Sequence, residues 1–164
     1  MTHGHPNYLL DTTVLSNLAH VRRPDLPRTV LGSNVTVTPN IMAELRIGEQ
    51  AGLVPRCDWT WLTVLTPTAA ELATATALQR QLDPGEAECL AVALHRGYRF
   101  LSDDFAARRL AEARGLTVSG TIGILLKGIA AGALSLPEAD RLLAEMIAHG
   151  YRAPVRSLRE LTAG

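Results

Sequence analysis

Aromatic side chains make up only 4% of the 164 residues. That scarcity excludes an extended row of base-stacking platforms of the kind single-strand-binding folds use. Cysteine is equally sparse: Cys57 and Cys89 lie far apart without CxxC spacing, so neither a disulfide framework nor a zinc site is expected, and a reducing, cytoplasmic setting is. The five histidines (His3, His5, His20, His95, His149) form no HxxxH pair, and His3 and His5 stand in a polar start expected to fray. No apolar run approaches the roughly 18 residues of a membrane span, and the N-terminus lacks the charged-then-apolar pattern of a signal peptide. Charge of one sign is also missing, because 16 basic residues balance 16 acidic ones. A nucleic-acid partner would have to be gripped by local clusters rather than by a bulk field. Those clusters would be built from arginine, since Lys127 is the single lysine.

What the chain does contain is an ordinary globular mixture, 47% hydrophobic and 20% charged, with length for one substantial core. Tyr8-Leu9-Leu10 reads as a buried strand that breaks into Asp11-Thr12-Thr13 and a helix. Residues 22–28, with two prolines and three arginines, read as a loop. Asn34–Thr38 alternates like a strand, and a helix is expected from Ile41 to about Ala51. Trp59–Leu65 reads as a strand, followed by a helix opened by Thr66-Pro67-Thr68 and running to about Leu82. Asp83-Pro84-Gly85-Glu86 carries the start signature of the next helix, which stops at Gly97. Tyr98–Ser102 is a strand ending in Asp103-Asp104, and a helix spans Phe105–Arg114. Leu116–Ser119 is a further strand, and helices follow over Ile122–Ala131 and from Pro137 to near Gly150. The basic tail from Tyr151 fits a short strand plus helix, or a docking arm. Strands alternating with helices predict a parallel sheet covered on both faces, a three-layer α/β/α arrangement. Without repeat or linker, residues 1–164 are expected to form one domain, with its core over about 8–134 and a helix and tail over 135–164.

Parallel α/β sheets carry their ligand sites beyond the carboxyl ends of the strands. Two expected strands end there in acid, Leu10 into Asp11 and Ser102 into Asp103-Asp104, while Glu44, Glu86 and Glu88 open or occupy adjoining helices. Carboxylates gathered in one place repel unless protons or cations neutralise them. Oxygen ligands suit Mg²⁺ or Mn²⁺, and such a site hydrolyses phosphodiesters. Each acid also has a structural alternative. Asp11 and one of the 103–104 pair can cap helices, Glu86 can complete a capping box with Asp83, and Glu44 can be a solvated helix residue. Glu86 and Glu88 lie about 200° apart around a helix, so both are not expected to face one ion.

The segments LLDTTVLSNLA (9–19), PNIMAEL (39–45), GEAECLAVALHRG (85–97) and FLSDDFAARRLAEARGLTVSGTIGILLKG (100–128) resemble, in that order, the PIN-domain family, which includes the VapC-type toxins of toxin–antitoxin pairs. The resemblance implies four acidic positions at Asp11, Glu44, Glu86 (with Glu88 as competitor) and Asp104 (or its neighbour Asp103). It implies supporting roles for Thr13 and Thr121, and a Mg²⁺- or Mn²⁺-dependent ribonuclease. It further implies a homodimer and an antitoxin partner lying across the site. The third acid departs from the family pattern, being Glu where many toxins hold Asp. Arg22, Arg23, Arg28, Arg108, Arg109 and Lys127 are the candidate contacts to RNA phosphates. The Ala-rich segments 67–82 and 105–114 fit either a dimer face or packing within one subunit. Two other functions compete: a non-catalytic RNA-binding or regulatory module, and a phosphatase of the haloacid-dehalogenase sort. The phosphatase is disfavoured because Thr13 stands where it requires a second Asp.

Overall fold

The computed structural model describes residues 4–162; His3 and the last two residues of the tail lie outside them. Tyr8, Leu9 and Leu10 are all buried, and a strand with no exposed face needs cover on both sides. This segment, β1 (Tyr8–Leu10), is the middle of a five-stranded sheet ordered β3-β2-β1-β4-β5. The other members are β2 (Val35–Val37), β3 (Thr63–Val64), β4 (Arg99–Leu101) and β5 (Val118–Ser119). Every adjacent pair is parallel. Leu9 is in register with Thr36 on one side and Phe100 on the other, and Leu10 with Leu101. Strands β1 and β4 therefore finish level, which brings Asp11 and Ser102-Asp103-Asp104 to one edge.

The helices among the described residues are α1 (Thr12–His20), α2 (Leu26–Leu31), α3 (Pro39–Gln50), α4 (Ala69–Leu78), α5 (Pro84–Arg96), α6 (Phe105–Ala113), α7 (Thr121–Ala130), α8 (Leu136–Ala148) and α9 (Arg159–Thr162). Helix α5 packs on β1 and β4 between α4 and α6, whereas α1, α2, α7 and α8 pack with one another, and α3 touches both α1 and α5. The result is the expected three-layer α/β/α fold. Buried alanines at 87, 91 and 93, with Cys89, let α5 lie close against the strands. The chain leads outward from β1 to β2 and β3, then returns across the sheet to β4. The switch of direction falls between β1 and β4, where ligand sites of parallel sheets form.

Four expectations about the elements need correction. Of Trp59–Leu65 only Thr63–Val64 is strand, because Asp58 accepts hydrogen bonds from the Thr60 amide and hydroxyl and folds the preceding residues into a turn. The 22–28 stretch is not all loop, since Leu26 begins α2 and Pro27 occupies a first-turn position that needs no amide donor. Helix α4 ends at Leu78, short of Leu82. Among its described residues the tail holds no strand. It docks on α8, where Asp140 accepts from the Leu158 amide at 2.6 Å and the Ser157 hydroxyl at 2.9 Å. Among the Ala-rich stretches, Ala75, Leu78, Ala107 and Ala111 are buried within the subunit, while Ala69, Ala70, Leu72 and Ala73 face solvent. No helix among the described residues is long and apolar enough to cross a membrane.

Candidate active site

Asp11 follows the last residue of β1 and is 1% exposed. It caps α1 by accepting from the Thr13 amide at 2.5 Å, and the same oxygen accepts from the Thr13 hydroxyl at 2.9 Å. The other oxygen accepts from the Ser102 hydroxyl at 2.5 Å. Burial is the largest influence on this carboxyl and, with the Asp103 charge nearby, outweighs those bonds, raising its pKa from 3.8 to about 6. The capping role foreseen for Asp11 is thus present, but a cap alone does not require burial beside another acid.

Three further elements bring acids towards the same edge. Glu44, in α3, accepts from the Thr12 hydroxyl at 2.7 Å. Its carboxylate lies over Gly85 so closely that a Cβ at Gly85 would stand 2.1 Å from Glu44 Oε1; glycine there is what makes room. Next to it Glu86, half-buried, accepts a long 3.4 Å bond from the Asp83 amide. Burial first, then the negative charges of Asp104 and Asp11, raise the Glu86 pKa to about 7. Asp104 caps α6 through the Ala107 amide at 2.8 Å. Among the described residues, Glu44, Glu86 and Asp104 each keep one carboxylate oxygen without a hydrogen-bond donor.

The two close competitors behave differently. Glu88 is 6% exposed and spends both oxygens on Asn40, accepting from its amide at 3.1 Å and its side chain at 3.0 Å. It secures the first turn of α3. Asp103 is saturated: it accepts from the Thr121 amide at 2.9 Å, the Thr121 hydroxyl, Asn17 Nδ2 at 2.8 Å and the Tyr151 hydroxyl at 3.4 Å. It ties α1, α7 and the segment after α8 to the end of β4, while its own amide donates to Thr13 Oγ1 at 2.9 Å. Thr13 and Thr121 therefore orient acids, and the Thr121 hydroxyl is committed to Asp103.

Sequence reasoning passed over Ser102, Thr12, Asn17, Gly85 and Tyr151. Asn17 was legible, because it follows Thr13 by four residues and so shares its helical face. Of the expected phosphate contacts, Arg108 is pinned by its Nη1 to the Ser102 carbonyl at 2.9 Å, and Arg109 stands over the Phe105 ring at 5.7 Å. Arg23 is paired with Asp25 at 3.0 Å and Glu138 at 3.5 Å. Arg22 and Arg28 are exposed beyond the far end of α1. Lys127 donates to the Tyr8 hydroxyl at 3.2 Å, at the opposite end of β1 from Asp11.

A family model described as PIN domain matches residues 7–163. The chain belongs to the PIN-domain family. No curated protein matches it. A PIN domain is a nuclease-type fold, and its members are generally hydrolases that act on nucleic acid and typically use divalent metal ions. Against that family property the donor set fits in kind: oxygen ligands only, and two carboxyls that hold protons unusually tightly, as crowded acids do when no cation balances them. It is not drawn together in advance. Among the described residues no three Asp, Glu, His or Cys side chains are grouped closely enough to hold an ion as they stand, because Asp11, Glu44, Glu88, Asp103 and Asp104 each turn towards a hydroxyl or amide donor instead. Of the alternatives the sequence left open, Glu86 or Glu88 and Asp103 or Asp104, the oxygens of Glu88 and Asp103 are occupied by donors.

The raised pKa values carry a sign. Asp11 and Glu86 stay protonated in the folded protein at pH values where the unfolded chain has released those protons. The stability these two carboxyls contribute is therefore full below about pH 4 and is lost as pH rises through about 6 to 7. Asp11 alone accounts for about 3 kcal/mol of that loss. Thermal unfolding of metal-free protein should show Tm decreasing from pH 5 to pH 8, with millimolar Mg²⁺ or Mn²⁺ recovering most of the difference at pH 8. A Tm that rises over that interval contradicts the crowding of these groups.

Proposed function

We propose that the chain is a Mg²⁺- or Mn²⁺-dependent endoribonuclease that hydrolyses RNA phosphodiester bonds at the carboxyl edge of the sheet. The observation that carries this reading is the convergence at the β1–β4 switch point. Thr12 holds Glu44, Glu44 lies over Gly85, and Glu86 feels the charges of Asp104 and Asp11. Asp11, Glu44, Glu86 and Asp104 would hold the ion. The ion, when bound, supplies Lewis-acid stabilisation of phosphate charge and activation of water. The remaining residues position these four. Ser102 and Thr13 fix both oxygens of Asp11, and Asp103, held by Thr121 and Asn17, fixes the loop that carries Asp104. Arg108 and Arg109 follow directly on that loop and offer cations to the RNA backbone. A non-catalytic role explains the convergence less well, since a binding module gains nothing from mutually repelling carboxylates. Within the nuclease reading, the likeness to VapC-type toxins supports a toxin working as a homodimer, with an antitoxin segment laid over the acidic edge.

Calorimetric titration of Mn²⁺ should detect binding to the wild type that Asp11→Asn weakens at least tenfold, with RNA cleavage lost in parallel. In the same assay Glu86→Gln should weaken the ion more than Glu88→Gln does, whereas Glu88→Gln should chiefly lower Tm by loosening α3. The reverse ranking assigns the third acidic position to Glu88.

Gly85→Ala tests the site without removing any acid. The three atoms nearest to a methyl group there belong to the far end of the Glu44 side chain, so the fold should survive within about 1 kcal/mol by urea denaturation. Displacement of Glu44 should nonetheless lower kcat/KM by at least about tenfold. Full activity in Gly85→Ala would remove Glu44 from the site.

A further inference from the structure

Lys127 stands at the opposite end of β1 from the acids, among groups of a different character. Tyr8 and Arg99 are in register at the amino ends of β1 and β4, and Lys127 reaches them from the last turn of α7. Both cations attend one ring: the Arg99 guanidinium carbon lies 5.9 Å and Lys127 Nζ 5.4 Å from the centre of Tyr8. Lys127 also donates to the Tyr8 hydroxyl at 3.2 Å, and among the described residues nothing accepts that hydroxyl's own proton. These three side chains border a cavity of about 230 Å³ whose other walls include Leu31, Leu101 and Ile124. No acid lines the cavity, and neither cation is ion-paired among the described residues. A last-turn lysine suits the helix dipole, and a cation near an aromatic ring gains from its quadrupole. Those contacts account for where each side chain lies, but neither supplies a counter-charge. Two like charges converging on one ring repel each other until an anion neutralises them.

We propose that this cavity binds a small phosphomonoester, its phosphate held by Arg99, Lys127 and the Tyr8 hydroxyl and its one-ring apolar body set against Leu31, Leu101 and Ile124. The charge count decides the headgroup. A phosphomonoester carries close to two negative charges at neutral pH and so matches two cations better than a carboxylate or a phosphodiester, which carries one. The donors agree: a guanidinium offers phosphate oxygens a fixed fork, an ammonium acts as a point charge, and the hydroxyl adds a third donor. Size decides the body. About 230 Å³ is below the usual range for drug-sized ligands, so a single ring fits and a polymer does not. A strand of RNA, whose linkages are diesters, meets neither requirement. The site is therefore separate from the acidic edge and stands whether or not the nuclease reading holds.

The test is calorimetric titration of the full chain with phenyl phosphate, and with inorganic phosphate, benzoate and phenol for comparison. Metal-free buffer keeps the acidic edge from taking the phosphate through a bound ion. Phenyl phosphate should bind at one site and more tightly than any of the other three. Lys127→Gln and Arg99→Gln should each weaken it about tenfold or more, with circular dichroism showing both variants folded like wild type. A second measurement needs no variant. Lys127 is the single lysine of the chain, so amine acylation followed by peptide mass spectrometry reads it alone. Phenyl phosphate should slow that modification in proportion to its occupancy of the site. No binding of phenyl phosphate, unchanged affinity in either variant, or a Lys127 left unprotected overturns the site. Inorganic phosphate binding as tightly overturns the role given to the apolar wall, and benzoate binding as tightly overturns the charge match.

Discussion

A carboxylate buried at the end of the central strand is the constraint around which this molecule is arranged. Asp11 is held by Thr13 on one oxygen and Ser102 on the other, so one side chain joins the start of α1 to the end of β4. Burial disfavours its charge, and so do the acids that neighbouring elements bring to the same edge. Donors placed around the rim keep the arrangement folded: Thr12 on Glu44, Asn40 on Glu88, and Thr121 with Asn17 on Asp103. Each of these contacts joins segments distant in sequence. The polar network therefore organises the edge of the sheet as much as the apolar core organises its middle.

That organisation separates the acids into two kinds. Asp103 and Glu88 have their oxygens filled and act as struts. Glu44, Glu86 and Asp104 retain an oxygen free of donors, and burial first, then the charges of Asp104 and Asp11, raise the pKa of Glu86. Gly85 completes the division by leaving space for Glu44 that any side chain would take. The helix caps do not compete with this account: Asp104 caps with one oxygen and keeps the other free, whereas Asp11 caps with one oxygen and is held by Ser102 on the other.

The central strand and its terminal acid were legible because a fully apolar run stops at Asp11, and the parallel α/β architecture followed from alternating strand and helix patterns. The 84–96 helix was legible from its Asp83-Pro84 start, and the 39–50 helix was expected two residues late, from Ile41. Strand β3 was overstated because Trp59, Trp61 and the leucines imitate alternation, while a local turn on Asp58 decides the backbone. Helix α2 was hidden by Pro24 and Pro27, which read as loop residues until Pro27 is seen in a first turn. The differences in donor occupancy between Glu86 and Glu88, and between Asp103 and Asp104, were beyond local pattern. They depend on Asn40, 48 residues from Glu88, and on Asn17, 86 residues from Asp103.

The central claim is that these acids share a cation at the β1–β4 edge. Anomalous diffraction from crystals soaked in Mn²⁺ locates such an ion directly. The account predicts a manganese peak enclosed by Asp11, Glu44, Glu86 and Asp104. A peak elsewhere on the molecule, in protein that cleaves RNA under the same conditions, would contradict it.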